Sequence, residues 1–200
     1  LAILQERAST RSLREADLVE HGLSAYTTAP GWLGYADDKL VALCKQAVDD
    51  GFEQVKLKVG GDLHNDIRRL SVAREVLGPN FAIAVDANQR WDVDEAVSWI
   101  EKLAPFGLAW VEEPTCPDDV VGHAEIAKRV SPIRIATGEH AHNRVMFKQL
   151  LRLGGAQVVQ IDATLRDLAG VRHVDETQLR RRLFHHLGVN YECFGQVLTY

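Results

Sequence analysis

The chain has 200 residues, of which 46% are hydrophobic, so it is long enough to bury a sizeable core. Its formal net charge of −5 offers no basic surface, which argues against nucleic acid and anionic membranes as partners. No apolar run approaches bilayer-spanning length, no signal-peptide pattern begins the chain, and the three cysteines form no metal or redox motif, so we expect an intracellular, cytoplasmic protein.

The first fifty residues carry weaker structural signals than the rest. Residues 1–21 are charged with sparse leucines, and we interpret residues 1–22 as a linker or the end of an N-terminal domain. Residues 24–32 are predicted to form a first strand with its loop. Apolar residues at helical spacing then predict a helix over residues 37–50, which Gly51 ends.

The next apolar run, residues 54–60, carries two lysines on one face. Because side chains alternate along a strand, its Val and Leu residues share one face, whereas Lys56 and Lys58 share the other. This pattern predicts two ammonium groups directed to the interior of the fold. The alternative is a pair of lysines at a strand end that reach water and bond to nearby acids.

Three later apolar runs each end in a carboxylate and are each followed by helical periodicity. The runs are residues 82–86, 108–112 and 133–139, and they end at Asp86, Glu112 and Glu139. Parallel strands joined by helices place their C-terminal ends on one rim, so the three carboxylates are expected to converge. A further run ends at Asp162.

Convergent carboxylates repel one another, so a fold that gathers them must supply positive charge. An oxygen-only ligand set suits a hard divalent cation, with Mg²⁺ expected first and Mn²⁺ as the alternative. Asp86 could instead cap a helix, but Asp92 is better placed to do so. Glu112 and Glu113 are adjacent, so only one of them is expected to point inward. His140 and His142 flank Glu139 and could be ligands, but they are interpreted as loop histidines without a metal role.

In chain order, the motifs Lys-x-Lys, Asp-x-Asn, Glu-Glu-Pro, Gly-Glu and Gln-Ile-Asp resemble the mandelate racemase branch of the enolase superfamily. With residues 26–35 and 86–93, the pattern is similar to the L-fuconate dehydratases of that branch. The resemblance covers roughly residues 25–163. It implies an α/β fold, a (β/α)8 TIM-type barrel, here incomplete with about six βα units. The barrel portion is expected over residues 23–164 and a divergent tail over residues 165–200, with the capping domain and last units missing or altered.

The resemblance implies two sets of binding residues. The implied metal ligands, each at a strand end, are Asp86, Glu112 and Glu139. The candidate substrate contacts are Asn88, Trp32 and Tyr35, although Asn88 could equally make a local turn bond and the two aromatic residues could be structural. Glu113 is left as a partner for a lysine.

The resemblance also implies a reaction, the dehydration of L-fuconate to 2-keto-3-deoxy-L-fuconate. Lys58 would take the proton α to the carboxylate, and Lys56 would lie beside that carboxylate or the base. Asp162 would orient a histidine at the end of the next strand, but no histidine of the tail sits in the family motif. The implied partner is a small sugar acid, and the implied assembly is a homo-oligomer.

Three alternatives stay open. The chain could be another acid-sugar dehydratase or a racemase of the same superfamily, which differ in product. It could be a Schiff-base aldolase that uses Lys56 or Lys58. It could also be a catalytically inactive, truncated relative that keeps the metal cluster.

Overall fold

The computed structural model describes residues 8–21 and 25–161 of the chain. Helices and strands alternate over most of this part. The helices are α1 (Arg11–His21), α2 (Asp37–Asp49), α3 (Leu63–Leu77), α4 (Val93–Leu103), α5 (Val120–Arg129) and α6 (Arg144–Leu153). The strands are β1 (Gln54–Lys58), β2 (Ala82–Asp86), β3 (Leu108–Glu112), β4 (Ile135–Thr137) and β5 (Val158–Val159).

The five strands form one parallel sheet in the order β1-β2-β3-β4-β5, with a helix between each strand and the next. A parallel bridge between Thr27 and Val55 adds a further strand position on the other side of β1. The first strand predicted over residues 24–32 is reduced to this bridge in the described residues. The chain turns into a 3-10 helix at Ala29–Gly31, where Pro30 has no N–H to donate to a sheet.

Four helices begin at side chains that accept hydrogen bonds from free backbone N–H groups of the first turn. Asp92, the predicted cap of α4, accepts from the N–H of Glu95 at 2.9 Å. The corresponding caps of α3, α5 and α6 are Asp62, Asp119 and Asn143. Each cap contributes about 1 kcal/mol, and together they fix where each helix leaves the loop that follows a strand.

The sheet has one apolar face and one face whose polarity changes along the strands. The outer face packs against the helices through the alternate residues Val55, Leu57, Ile83, Val85, Val111 and Ile135. The inner face begins with a small apolar cluster of Ala84, Trp110, Ala136 and Val158, against which Tyr26 packs. Polar side chains follow this cluster at the C-terminal ends of the strands. The predicted alternation of β1 is confirmed, because its apolar residues lie on the helix-covered face.

The register of the sheet brings the ends of three strands into one row. Lys58 pairs with Asp86, and Asp86 pairs with Glu112. An irregularity between Ile83 and Val85 shifts the β2–β3 register on the way to this row. The polar ends of β1, β2 and β3 therefore stand side by side.

The structure describes part of the N-terminal region but not the C-terminal tail, so only the first can be compared with the predictions. The weak helical signal near the N-terminus corresponds to α1, whose described side chains are exposed. Asp162 and the predicted tail over residues 165–200 lie outside the described residues. Within the described ranges, no helix is both long enough and apolar enough to cross a membrane.

Gly31 lies so close to β1 that a side chain there would collide with the strand. A Cβ atom on Gly31 would stand 2.2 Å from the carbonyl oxygen of Lys56. We expect Gly31→Ala to lower the free energy of unfolding by about 1–3 kcal/mol, the usual cost of overpacking. Gly34→Ala, in the same loop but with open space at the Cβ position, is the control. Urea unfolding compares them, and equal stabilities would contradict this close contact.

Candidate active site

Two lysines of β1 neutralise the carboxylates at the ends of β2 and β3. The ammonium group of Lys56 donates to Oε1 of Glu112 and lies 3.3 Å from Oδ2 of Asp86. The ammonium group of Lys58 donates to the same Asp86 oxygen at 2.6 Å. Lys56, Asp86 and Glu112 are almost fully buried, whereas the Lys58 side chain is 26% exposed. Lys58 is thus the more accessible of the two.

The ionisation of this cluster reflects a balance between burial and pairing. Burial opposes the charge of Asp86, but Lys56 and Lys58 outweigh it and hold the pKa of Asp86 below its ordinary value. Burial also opposes the charge of Lys56, but Glu112 and Asp86 raise its pKa. For Glu112 burial dominates and raises the pKa to about 7, although Lys56 opposes this shift. The charge state of Glu112 therefore changes near neutral pH.

The raised pKa of Glu112 predicts a pH dependence in the metal-free chain. Between the ordinary pKa of 4.5 and about 7, the folded chain keeps a proton that the unfolded chain has released. Folding stability then falls as pH rises. We expect the free energy of unfolding of the parent to fall relative to that of Glu112→Gln over this window, by at most about 1.4 kcal/mol per pH unit. Urea unfolding in a chelator measures this, and parallel pH curves would contradict it.

Glu113 departs from the predicted arrangement. Adjacent strand residues should face opposite sides, yet Glu112 and Glu113 are both 1% exposed. The reason is the left-handed backbone of Glu113, whose φ of 42° ends the alternation of β3. The Glu113 carboxylate accepts from the amide of Gln89, at 3.2 and 3.1 Å. Both glutamates are therefore buried, although only one was expected to point inward, and in the described residues Glu113 contacts the Gln89 amide and the His140 imidazole.

Glu139 lies beside Glu113 and a histidine. Ligand-type atoms of Glu113, Glu139 and His140 all lie within 4.8 Å of one another. The imidazole Nε2 of His140 is 3.4 Å from Glu113 and 3.6 Å from Glu139. Burial raises the pKa of Glu113, the Gln89 amide opposes the shift, and the nearby Glu139 carboxylate adds to it. His140, expected to have no metal role, therefore stands where it could bind a cation.

Two of the three predicted ligands, Asp86 and Glu112, meet a simple test for a cation. Asp86 and Glu112 offer buried carboxylate oxygens on neighbouring strands, and two ammonium groups already balance their charge. The second oxygen of Glu112, Oε2, is buried and makes no hydrogen bond of ordinary geometry in the described part of the chain, although the Gln160 side chain is near enough to lower the pKa of Glu112. An unpaired buried anionic oxygen is costly, and a hard cation would satisfy it. Asp86 and Glu112 therefore fit Mg²⁺, whereas in the described residues Glu139 is grouped with Glu113 and His140.

The three candidate substrate contacts lie on loops beyond the strand ends. Asn88 is exposed, and its backbone N–H donates to Oδ1 of Asp86 at 2.9 Å, a turn bond that uses the side chain of Asp86 and not that of Asn88. Trp32 is 63% exposed. The ring of Tyr35 lies under the ammonium group of Lys39, 3.9 Å from ring centroid to Nζ. All three remain predictions; Trp32 and Asn88 are exposed, whereas Tyr35 is half-buried.

Gln89, Glu113 and His140 are the site residues whose positions the sequence analysis missed. Glu113 and Gln89 both have positive φ angles, and a single sequence gives little warning of such backbone at non-glycine residues. The Glu-Glu pair was the one available signal, because two adjacent acids at a strand end can both reach a rim once the strand stops.

The chain matches a known family over most of its length. The family model for enolase C-terminal domain-like proteins covers residues 39–173. Human mitochondrial enolase superfamily member 1 is 52% identical over 165 residues, which are 82% of this chain and 37% of that protein. Its crystal structure matches with a TM-score of 0.75 at 51% identity, over 81% of this chain and 37% of the other.

Two further relatives are named as enzymes. L-galactonate dehydratase of Hypocrea jecorina is 42% identical over 179 residues, 87% of this chain and 39% of that protein. L-talarate dehydratase from Polaromonas sp. JS666, in a crystal structure with Mg and L-glucarate, matches with a TM-score of 0.73 at 32% identity, over 83% of this chain and 45% of the other. The chain therefore spans less than half the length of these relatives. The predicted α/β class with a TIM-type barrel portion is confirmed, and the chain belongs to the enolase C-terminal domain-like family of the enolase superfamily.

Proposed function

We propose that this chain carries the proton-abstracting and magnesium-binding part of an acid-sugar dehydratase, with L-fuconate as substrate. The observation that supports it most is the row of Lys58, Asp86 and Glu112 on neighbouring strand ends, with Lys56 beneath. An interior that gathers two lysines and two carboxylates has no role in packing an apolar core. It does fit a reaction in which negative charge develops on a bound acid.

The proposed metal ligands are Asp86, Glu112 and Glu139. When bound, Mg²⁺ would stabilise the second negative charge that develops on the substrate carboxylate as the α-proton leaves. Glu113 and His140 form the competing set around Glu139. The two sets share only Glu139, and each contains a different one of the two adjacent glutamates, so variants at Glu112 and Glu113 separate them.

Lys58 is the proposed base. Its side chain is the more exposed of the two lysines, and its Nζ atom lies at the end of β1, where a substrate can approach. In its neutral form the amine would accept the proton from C2 of the sugar acid. Lys56 is buried beside Glu112 and would place positive charge below the substrate carboxylate. Loss of the C3 hydroxyl as water then gives an enol that tautomerises to a 2-keto-3-deoxy acid. In the family the counterpart of Asp162 orients a histidine that protonates this hydroxyl, but no histidine of this sequence sits in that motif, so this step needs a different proton donor.

A substrate panel tests this function. The chain would be incubated with Mg²⁺ and L-fuconate, L-galactonate or galactarate, and 2-keto products would be detected with semicarbazide. A keto acid from L-fuconate alone supports the proposed substrate, and one from another acid supports a different dehydratase. Exchange of the C2 proton without a keto product would favour a racemase. Absence of both exchange and product, in a chain that binds Mg²⁺, would favour the inactive relative.

The Schiff-base aldolase is the second candidate to be tested directly. The ion pairs of Lys56 with the buried carboxylates of Glu112 and Asp86 favour its charged form, which is not nucleophilic, so Lys58 is the lysine that the aldolase test addresses. An aldolase would be trapped covalently by borohydride in the presence of its carbonyl substrate and would be insensitive to chelators. The proposed dehydratase gives the opposite result in both assays.

A further inference from the structure

A buried ion pair on α3 lies behind the end of β1. Asp66 and Arg69 are 0% and 1% exposed, with a guanidinium nitrogen 3.8 Å from a carboxylate oxygen. Burial lowers the pKa of Arg69 and raises that of Asp66, so neither charge is buried without cost. A pair of charges in such a position needs further partners to offset its desolvation.

Those partners are backbone groups of two separate segments. Arg69 donates to the carbonyl oxygen of Lys58 at 2.6 Å. Its other terminal nitrogen donates to the carbonyl oxygens of Gly31 at 2.8 Å and Trp32 at 3.0 Å. Asp66 accepts from the N–H of Gly60 at 2.7 Å. The guanidinium group therefore joins the end of β1 to the loop that follows the first strand position.

The two segments are also in direct contact. Gly31 lies against β1 so closely that a Cβ atom there would meet the carbonyl oxygen of Lys56. The loop consequently rests on the backbone that carries both lysines. The two terminal nitrogens of the guanidinium group donate to carbonyls of different segments, one to β1 and the other to the loop. A lysine ammonium at this position would lack that fixed fork of donors.

We propose that Arg69, supported by Asp66, is a positioning residue that fixes Lys58 and Trp32 relative to each other. Its hydrogen bonds end on the carbonyls of those two residues, the base and the exposed loop aromatic of the proposed function. The effect of this positioning on catalysis rests on the proposed function. A shift of the guanidinium group would move the base and the substrate-facing loop together, and small misplacements of reacting groups cost large factors in rate.

The test compares Arg69→Lys with Arg68→Lys in the 200-residue chain. Arg68 is the neighbouring, partly exposed arginine of α3, which pairs with Asp37. Trp32 would be followed by ¹⁹F NMR of 5-fluorotryptophan, with its signal assigned in Trp32→Phe. Lys58 would be followed by the ¹³Cε signals of labelled lysine at fixed pH, with its signal assigned in Lys58→Arg.

We expect both signals to shift by more than their linewidths in folded Arg69→Lys and to stay in place in Arg68→Lys. In Arg69→Ala, added methylguanidinium is expected to return both signals toward the parent positions. Unchanged signals in a folded Arg69→Lys chain would show that the pair only stabilises the fold. Failure of both Arg69 variants and of Asp66→Asn to fold would lead to the same conclusion, and either result overturns the proposal.

This experiment separates the positioning role from the proposed function. The NMR signals report the coupling of the two segments without turnover and without metal. If the chain neither binds Mg²⁺ nor exchanges the C2 proton, the proposed function is wrong, but the coupling between β1 and the Trp32 loop can still be measured. If Arg69→Lys binds Mg²⁺ normally and its two signals do not shift, the positioning role is wrong and the proposed function is unaffected.

Discussion

Replacement of Lys58 by methionine is expected to slow exchange of the C2 proton of a sugar acid by about 10²–10⁴-fold, the usual contribution of a positioned base. Methionine keeps the length of the side chain and removes the amine. Lys58 donates to Asp86 at 2.6 Å at the end of β1, so the substitution removes the accessible amine from the carboxylate rim. Deuterium incorporation from D₂O, followed by NMR of the substrate in the presence of Mg²⁺, measures the rate.

Lys45→Met is the matched control for this measurement. Lys45 is an exposed lysine of α2, outside the carboxylate rim, and its replacement should leave the exchange rate unchanged. Exchange by Lys58→Met at the parent rate would show that another group takes the proton. In that case Lys56 becomes the next candidate, because it is the other lysine at the rim.

Replacement of Lys56 by methionine is expected to lower the free energy of unfolding of the metal-free chain by about 3–5 kcal/mol, the typical cost of removing one partner from a buried ion pair. Lys56 is 3% exposed and donates to Glu112 while lying 3.3 Å from Asp86. Without this ammonium group, Asp86 keeps only Lys58 as a partner, and Glu112, whose pKa is already raised to about 7, must carry an unpaired charge or take up a proton. Urea unfolding in a chelator gives the change in stability.

Two comparisons isolate the charge effect. Lys58→Met should cost less, because Lys58 is partly exposed and Asp86 keeps Lys56 as a partner. The double variant Lys56→Met, Glu112→Gln should recover part of the lost stability, because no unpaired carboxylate remains beside the methionine. Equal costs for the two single lysine variants, or no recovery in the double variant, would mean that volume rather than charge determines the loss.

The strand ends were predictable because local chemistry determines them. Apolar runs that stop at Asp86 and Glu112 indicate buried strands, and the parallel connection places their ends on one rim. The facing of Lys56 and Lys58 followed from the two-residue period of a strand. Both inferences needed only sequence spacing, and the observed register brings Lys58, Asp86 and Glu112 into one row.

The neighbourhood of Glu139 was not predictable in the same way. It depends on the left-handed backbone of Glu113 and on Gly138, whose φ is 130° and where a Cβ atom would lie 2.5 Å from the carbonyl oxygen of Gln160. Such geometry comes from tertiary contacts rather than from strand periodicity. The Arg69–Asp66 pair was hidden for a similar reason, because a charged pair on a helix is normally read as solvated surface.

Calorimetry of Mg²⁺ binding tests the central claim most directly, with the parent chain, Glu139→Gln, Glu112→Gln and Glu113→Gln as the four samples. The account predicts that the parent binds Mg²⁺, that Glu139→Gln and Glu112→Gln bind it far more weakly, and that Glu113→Gln keeps most of the affinity. Binding that is lost in Glu113→Gln but kept in Glu112→Gln would place the cation at Glu113, Glu139 and His140 instead. Absence of Mg²⁺ binding by the parent would contradict the proposed metal site of this chain.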